Sequence, residues 1–420
     1  MAFNSGVGSN SGLTLDGLFK QVYADKISKL VPLEVVLQKL IDFLPKERQP
    51  GAFFNQMVSL QLEHGITYGG DSDTAFELRA PISGQSKNAQ VRGYQMTIRS
   101  AIPYTSITRS AQGGEKSFME ATKYIVGNMI DSFSKKLEVE LMYGQSGLGK
   151  VKNIETAGAS VVVEIKDSEW APGIWSGAEG MKVDIFRAGV VVAGNTDLVI
   201  SGVDFDAKTV TLATLAANTA VDDDIFPAGA HDNQMVGLHA IMTNTSTLFG
   251  ISAATYNLWK ASTFTPGTPG TPVVLTFAII QQAIARGLSK GLSGNVKCLV
   301  NPSHWDDLLT EQAASRRFDS SYKSGEVENG AKGIKFYSQN GEIEILASLY
   351  VKEGYSYVFS TDDYARVGSM DLSLEKPGMP GKFMFDLPSH NGYEIRAISD
   401  QSLFSAKPGR SVLINNLKIG

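Results

Sequence analysis

One long amphipathic stretch, from Lys116 to Tyr143, constrains the fold of this 420-residue chain more than any other feature. Its apolar residues recur every four positions, which is the spacing of one buried helix face: they are Ile125, Met129, Phe133, Leu137 and Leu141. Ser117 and Glu120 form a capping box at the start, and Gly144 supplies the stop. A helix of about 28 residues is roughly 42 Å long, so a large part of the molecule must lie along it.

The charged residues of this predicted helix fall mainly outside the apolar face, so we expect them to contact water: they are Lys123, Asp131, Lys135, Lys136, Glu138 and Glu140. On this interpretation, an aspartate in place of Met129 prevents folding, whereas an aspartate in place of Lys135 is tolerated.

Composition excludes several classes of protein. The net charge of −5 argues against tight general binding to nucleic acid. A single cysteine, Cys298, excludes an internal disulfide framework. No apolar run approaches the ~20 residues of a membrane span, and the opening MAFNSGVGSNSG lacks the features of a secretory signal. We therefore expect a soluble protein of intracellular origin with no membrane partner.

Changes of periodicity divide the first part of the chain into two extended segments. Residues 1–52 combine a Gly-, Ser- and Asn-rich start with two short apolar patterns broken by Pro32, which predicts an N-terminal arm with two short helices. Residues 53–110 predict an extended β-ribbon loop, in which a strand near 57–63 and a strand across Gln90–Ile102 are joined by a polar, Gly-rich tip. An isolated ribbon is at best marginally stable in water, so both segments need a neighbour.

The middle of the chain predicts two further units. Residues 111–165 hold the long helix and a strand pair within 153–165. Residues 166–236 predict an inserted small all-β domain, because short apolar pieces are separated by turn residues at regular intervals. Its aromatic anchors are Trp170, Trp175, Phe186 and Phe205. The alternative is that these strands extend the main sheet and share its core.

Residues 237–420 return to a mixed α/β pattern. Helices are predicted at Phe277–Leu288 and Pro302–Ala313, with a buried strand at Val296–Val300 between them. Further strands are predicted at 334–337, 342–347, 355–360, 382–387 and 393–404, and a closing stretch at 412–419.

No residue set predicts catalysis, cofactor binding or metal binding. Gly144–Val151 falls one residue short of a phosphate-binding loop and follows a helix instead of opening one, so a helix cap and turn are favoured. Asp222–Asp224 predict a solvated turn rather than a cation loop. Cys298 lies in an apolar run typical of a structural thiol. The histidines are too scattered to ligate a metal together: they are His64, His231, His239, His304 and His390.

The order of elements resembles a known family. An arm, a long ribbon, one long helix ending in Leu141-Met-Tyr-Gly144 and a mixed domain follow in turn. The chain then closes with Gly392–Phe404 and Lys407-Pro-Gly-Arg-Ser-Val412. This succession resembles a tailed-bacteriophage major capsid protein of the Hong Kong 97-like fold, and Leu299–Trp305 resembles a strand-to-helix step of that fold.

The resemblance implies an α+β architecture of N-terminal arm, extended β loop, peripheral domain with a spine helix, and axial domain within 237–420. It implies a non-enzymatic chain that assembles with itself into hexamers and pentamers of an icosahedral shell around double-stranded DNA. The implied partners are a separate scaffolding protein, a portal and a decoration protein, with DNA held by weak non-specific contacts. The implied location is the virion, assembled in the bacterial cytoplasm.

Two rival functions and one covalent feature stay open at this stage. One rival is a nanocompartment shell of the same fold that encloses enzymes, and the other is a receptor- or carbohydrate-binding fibre protein. The type member of the family links its subunits by Lys–Asn isopeptide bonds, for which Lys87 and either Asn415 or Asn416 are the candidate partners here.

Overall fold

The computed structural model describes residues 31, 33–44, 53–71, 75–105, 115–157, 160–213, 219–316, 334–338, 341–375, 378–379, 381–387 and 390–418. Within them the α-helices are α1 (Leu37–Leu40), α2 (Glu115–Tyr143), α3 (Pro172–Trp175), α4 (Leu238–Thr243), α5 (Phe277–Leu288) and α6 (Pro302–Arg316). The strands are β1 (Phe54–Gln61), β2 (Gln85–Val91), β3 (Tyr94–Pro103), β4 (Gly149–Ala157), β5 (Ser160–Ile165), β6 (Lys182–Arg187), β7 (Val190–Val191), β8 (Leu198–Asp204), β9 (Thr209–Leu212), β10 (Asp224–Pro227), β11 (Thr247–Leu248), β12 (Ile251–Ser252), β13 (Ser262–Phe264), β14 (Val296–Val300), β15 (Ile334–Ser338), β16 (Gly341–Ala347), β17 (Ser356–Ser360), β18 (Tyr364–Ser373), β19 (Met384–Asp386), β20 (Gly392–Ser405) and β21 (Val412–Ile414).

Helix α2 is the predicted long helix, and its apolar face is buried as predicted. Ile125, Met129, Phe133, Leu137 and Leu141 are each 7% exposed or less. They pack towards β3 and β20, which pair antiparallel along ten residues of each strand. The predicted capping box involves side chains outside the described set.

The prediction that the charged residues of α2 contact water is wrong for the C-terminal half of the helix. Lys135, Glu138 and Glu140 are buried there, because three other parts of the chain cover them. The ammonium of Lys135 donates to the hydroxyl of Ser176, 3.1 Å away, and Glu140 accepts from the backbone N–H of Met235 at 3.2 Å. The division into one apolar side and one water-facing side, which the sequence predicts for the whole helix, therefore holds only for its first half.

Glu138 receives the N-terminal arm. Its carboxylate accepts the backbone N–H groups of Val36, Leu37 and Gln38 at 2.9, 2.6 and 3.1 Å. These are donors that the start of α1 leaves free, so a side chain of α2 caps α1. Helix α1 lies within the second apolar pattern of the arm, and the helix predicted from the first pattern lies outside the described residues.

The ribbon differs from its prediction in the return strand. Strand β1 pairs antiparallel with β2, from Phe54 opposite Val91 to Gln61 opposite Gln85. Strand β3, which the sequence assigned to the ribbon, instead pairs with β20 in the sheet that lies along α2. The alternation of β2 and β3 is continuous in sequence, and only the two-residue break at Arg92 and Gly93 separates a ribbon strand from a core strand.

Strands β4 to β10 form a closed ring of pairings. The order β4-β5-β9-β8-β6-β10 returns to β4, every pair is antiparallel, and β7 extends β6 as a hairpin. The ring begins at Gly149, so the strand pair that was grouped with the helix lies in the same sheet as the strands of 182–227. We retain a separate β unit as a proposal, with its start moved to the first strand of this barrel.

The C-terminal part forms a six-stranded mixed sheet in the order β13-β21-β17-β14-β16-β15. A second hydrophobic cluster lies between this sheet and α5, and it includes Ile280, Ile284 and Val358. Helix α5 and strand β14 have the predicted bounds. Strand β18 was missed because register shifts near Val367 and Met370 interrupt the two-residue period.

The buried face of α2 gives a direct test. Met129→Asp places a charge at a side chain that is 5% exposed, and a buried unpaired charge costs several kcal/mol by the usual scale. We expect insoluble protein on expression. Asn128→Asp is the matched control, since it adds the same charge at the adjacent, exposed position. Equal solubility of the two variants would contradict the assigned face.

Candidate assembly surface and buried junction

The tip of the ribbon exposes apolar side chains to solvent. Six of them are between 52% and 85% exposed: Leu62, Ile66, Tyr68, Phe76, Leu78 and Ile82. Contiguous exposed apolar surface of this kind marks an interaction site in a soluble protein. The tip is therefore a candidate surface for contact with another chain.

The base of the ribbon is fixed to the body. The N–H of Gln90 donates to the carbonyl of Phe249 at 2.9 Å, and the Tyr256 hydroxyl donates to Gln85 at 2.9 Å. The Phe54 ring also lies edge-on to Phe404, with ring centroids 5.1 Å apart. An anchored base and an unpartnered tip present the apolar side chains at a defined place beyond the body.

A buried polar junction joins the end of α2, the barrel and the C-terminal sheet. The ammonium of Lys352 donates to Glu169 at 2.6 Å and to the carbonyl of Gly147 at 3.2 Å. The backbone N–H of Lys352 donates to the Tyr143 hydroxyl at 2.8 Å, and the Tyr355 hydroxyl donates to Glu169 at 2.8 Å. Three regions of the chain are thus fixed to one another through a single ion pair.

Burial and charge set the ionisation of this junction. Burial raises the pKa of Glu169, but the neighbouring ammonium of Lys352 outweighs it, and the net pKa lies below the usual value. His239 lies 2.9 Å from the Tyr357 hydroxyl. Burial, with the positive charge of Lys352, lowers the pKa of His239 to about 4, so the imidazole is neutral at neutral pH. The arrangement is that of a structural network, because every polar group named here is engaged with another part of the chain.

The junction predicts that a single variant is less stable to unfolding than the corresponding double variant. Lys352→Met leaves Glu169 buried and unpaired, which costs about 3–5 kcal/mol. Adding Glu169→Gln removes the unpaired charge and recovers most of that loss, measured as the midpoint of urea unfolding of the unassembled chain.

The control for this experiment is an exposed ion pair. Lys182 lies 3.3 Å from Asp197, and both side chains are more than half exposed. Lys182→Met is expected to cost less than about 1 kcal/mol. If the double variant unfolds as easily as Lys352→Met alone, the ion pair is not what holds the junction.

A cavity of about 290 Å³ lies between α2, β3 and the barrel. Its apolar wall includes Met96, Ile174 and Met181, and its charged groups are Lys135, Lys136 and Glu140. The ammonium of Lys136 rests on the sulfur of Met181, although the side chain as a whole is exposed. Burial of the ammonium groups lowers the pKa of each lysine to about 8.

Glu140 makes stability depend on pH. Burial raises its pKa from 4.5 to about 7, so the folded chain binds this proton more tightly than the unfolded chain does. Stability therefore falls as the pH rises from 4.5 to 7, by at most about 3 kcal/mol at roughly 1.4 kcal/mol per pKa unit. Glu140→Gln should abolish this part of the slope in thermal melts between pH 4.5 and 7.5.

The exposed Glu155 on β4 provides the control. Glu155→Gln should leave the slope between pH 4.5 and 7.5 as in the unmodified chain. The two cavity lysines have pKa values of about 8, so they stay largely protonated up to pH 7 and begin to titrate only at the upper end of this window. An unchanged slope in Glu140→Gln would show that Glu140 is not the titrating group.

The residues that were considered as candidate sites in the sequence lie apart from one another in the structure. The start of Gly144–Val151 is a helix cap and turn, as predicted, and Gly149–Val151 begin β4. Gly144 closes α2 by donating its N–H to the Glu140 carbonyl at 2.8 Å. Cys298 is fully buried, and burial raises its pKa to about 12. In the described part of the chain, no group of histidine, cysteine and carboxylate side chains is arranged to hold a metal ion.

The histidines have separate environments. His231 stacks on Phe186 with ring centroids 4.1 Å apart, and His304 contacts the carbonyl of Glu353 at 2.5 Å. His64 is exposed. None of these contacts brings two histidines together.

Asp222–Asp224 are not a solvated turn throughout. The Asp223 side chain is only 1% exposed and forms a two-pronged ion pair with Arg187, at 2.6 and 2.8 Å. Asp224 pairs with Lys150 at 3.0 Å. These pairs join β10 to its two neighbours, β6 and β4, and so serve barrel closure.

The candidate cross-linking residues have partners within the chain. The ammonium of Lys87 lies 5.4 Å from the centre of the Tyr256 ring. The Asn416 amide donates to the carbonyls of Pro266, Thr268 and Thr271 at 2.9 to 3.1 Å. Asn416 therefore shapes the loop that contains Gly267–Pro272.

No local signal in the sequence predicts the junction or the cavity. Glu169 and Lys352 are 183 positions apart in the chain, and no local pattern connects them. No helix in the described residues is long and apolar enough to cross a membrane.

Comparison with known proteins identifies the fold. No protein-family model and no curated protein sequence matches the chain. A chain of the Cyanophage A-1(L) capsid asymmetric unit is similar over 97% of this chain and 99% of its own length, with a TM-score of 0.58 and 13% identity. Chains from the capsid of an empty GTA particle and from the capsid of Cyanophage P-SCSP1u match with TM-scores of 0.47 and 0.44, at 8% and 11% identity, over 98% or more of each chain. The α+β fold predicted from the resemblance, that of a tailed-phage capsid chain, is confirmed.

Proposed function

We propose that this chain is a major capsid protein, which assembles into the hexamers and pentamers of an icosahedral shell around the double-stranded DNA of a tailed bacteriophage. The observation that carries the proposal is the ribbon tip, where six large apolar side chains are more than half exposed. A capsid fold over nearly the whole chain supports it.

The physical argument runs from one chain to a closed shell. The described part of the chain leaves the tip exposed, and on this proposal the tip packs on another copy. A contact between two different surfaces of the same molecule is head-to-tail, and repeated head-to-tail contacts close into rings when the rotation allows it. Rings of six and five copies are the units of an icosahedral shell.

We also propose a structural rather than catalytic role. The titratable groups of the junction are engaged in hydrogen bonds between regions of the fold. A scaffolding protein, a portal and a decoration protein are the further partners of this proposal, with the virion as its location. The mild acidity of the chain favours weak contact with DNA, because a basic wall would hold duplex DNA through many phosphate contacts.

Shell formation by the purified chain tests the proposal. Replacing Leu62, Tyr68 and Leu78 together by serine removes apolar area from the tip without touching the core. We expect a folded chain with an unchanged melting temperature that no longer forms shells in negative-stain microscopy and sedimentation.

The control replaces Val190 and Val191 by serine. These side chains are 68% and 41% exposed on the barrel hairpin, which we propose to be dispensable for the basic shell. Shells of normal yield from the tip variant would refute the proposed role of the ribbon. Failure of the unmodified chain to form shells, alone or with its scaffolding partner, would refute the function.

The content of the particles distinguishes this function from a nanocompartment. Nuclease-protected DNA of uniform length inside mature particles supports a phage capsid. Particles that enclose a defined enzyme and no DNA would support the nanocompartment.

A further inference from the structure

A basic cluster lies at one end of the C-terminal sheet, and three separate parts of the chain contribute to it. Strands β13 and β21 are parallel neighbours, with Ser262 opposite Val412. The residues two positions before each strand therefore stand side by side, and the end of α5 lies against them. The cluster has five members, none of which is buried: Lys260, Arg286, Lys290, Lys407 and Arg410.

Close backbone contacts fix this arrangement. A Cβ atom on Gly409 would stand 1.9 Å from the carbonyl oxygen of Leu258, so only glycine lets the two loops before β13 and β21 come this close. The ammonium of Lys290 donates to the carbonyl of Lys260 at 2.7 Å. The basic side chains are thus held together by the fold of the sheet and α5.

The arginines of the cluster are oriented by uncharged groups. The guanidinium of Arg410 donates to the Ser293 hydroxyl at 3.1 Å. The guanidinium of Arg286 lies 4.3 Å from the centre of the Phe264 ring. Neither contact neutralises a positive charge.

Little negative charge balances the basic cluster. Asp363 lies 3.6 Å from Lys407 and 3.7 Å from Arg410, and Asp362 already accepts the backbone N–H of Asn295 at 3.0 Å. The carboxyl end of α5 adds the equivalent of about half a negative charge. Three members form no ion pair within the part of the chain that the structure describes: Lys260, Arg286 and Lys290.

Holding these like charges together is unfavourable in the chain alone. Burial removes water from the ammonium of Lys290, and the charge of Lys260 repels it, so the pKa of Lys290 lies below its usual value. A bound anion would replace the lost water and offset the repulsion. The arrangement therefore favours an anion at this end of the sheet.

The spacing favours a compact anion over an extended one. Lys260 and Arg410 lie on neighbouring strands, which are about 4.8 Å apart, and Lys290 is bonded to the first of them. Tight binding of duplex DNA needs several contacts spread along its backbone, and the net charge of −5 opposes it. Charges more than about 8 Å away are largely screened at physiological salt, so a small anion responds mainly to the cluster.

We propose that the basic cluster binds a small anion that carries two or more adjacent phosphate groups. The ammonium groups of Lys260 and Lys290 act as point charges, and the guanidinium of Arg410 matches the geometry of a phosphate. The cluster belongs to one chain. This inference therefore goes beyond the proposed shell and does not depend on it.

Calorimetric titration of the purified, unassembled chain with inorganic triphosphate at physiological salt tests the inference. We expect one binding site per chain. Lys260→Gln should weaken the affinity at least about tenfold, because a hydrogen bond to a charged group is worth that factor or more. This variant keeps the carbonyl to which Lys290 donates.

Lys382→Gln is the matched control. It removes the same charge from an exposed lysine outside the cluster, so it should bind triphosphate as the unmodified chain does. A duplex oligonucleotide titrated under the same conditions distinguishes a small phosphate anion from a nucleic-acid backbone.

The melting temperature without triphosphate separates binding from a purely structural role. Because Lys260 repels Lys290, Lys260→Gln should melt at the same temperature as the unmodified chain or higher. Triphosphate should raise the melting temperature of the unmodified chain, since a ligand of the folded state stabilises it, and should raise that of Lys260→Gln less.

Three results would overturn the inference. One is the absence of triphosphate binding by the unmodified chain, and another is equal affinity in Lys260→Gln and Lys382→Gln. The third is binding of the duplex without binding of triphosphate, which would indicate a surface for an extended polyanion. None of these measurements requires shells, so failure of the proposed function would leave the test intact.

Discussion

The Glu169–Lys352 ion pair is the interaction on which the arrangement of the molecule depends. It joins a residue just after the first two barrel strands to a loop of the C-terminal sheet, and the same loop donates to a tyrosine at the end of α2. A buried ion pair adds little net stability, because desolvation offsets most of the attraction. Its directional hydrogen bonds instead admit one relative placement of the three regions. Losing either partner would leave the other charge buried and unpaired.

Helix α2 connects this junction to other segments of the chain. Its first half has one buried face, whereas its last turns are surrounded by the arm, the barrel and the segment around Met235. Three charged side chains near that end bind other segments of the chain. Glu138 caps α1, Glu140 accepts from the chain after the barrel, and Lys135 donates to the turn after α3. Each of them satisfies a backbone group that burial would otherwise leave without a hydrogen bond.

The ribbon tip differs from the body in the burial of its apolar side chains. The body buries most of its large apolar side chains, whereas the ribbon tip keeps its own in solvent. Ordering a ribbon costs conformational entropy, and two strands with little core cannot offset it. On the proposed function, a neighbouring copy supplies the missing contact area.

The sequence by itself determined the regular elements. The four-residue spacing from Ile125 to Leu141 fixed the long helix and its buried face, and turn residues at regular intervals indicated the small strands of the barrel. Helix α5 and strand β14 could be placed to the residue because each has a clear period and clear end signals. The order of elements was enough to identify the fold.

Tertiary structure alone decided the rest. Pairing β3 with β20 rather than with β1 is a contact across about 300 residues, and no local period can choose between partners. Lys135 and Glu140 have the same helical context as an exposed charge, so only the segments folded over them make them buried. The sequence likewise predicts Asp223 to be part of an acidic turn, whereas the structure places Arg187 opposite it. Local patterns fix which face of an element is apolar, because periodicity is a property of neighbours in sequence. Whether a charged side chain is buried depends on which distant segment packs over it, so only the tertiary structure determines it.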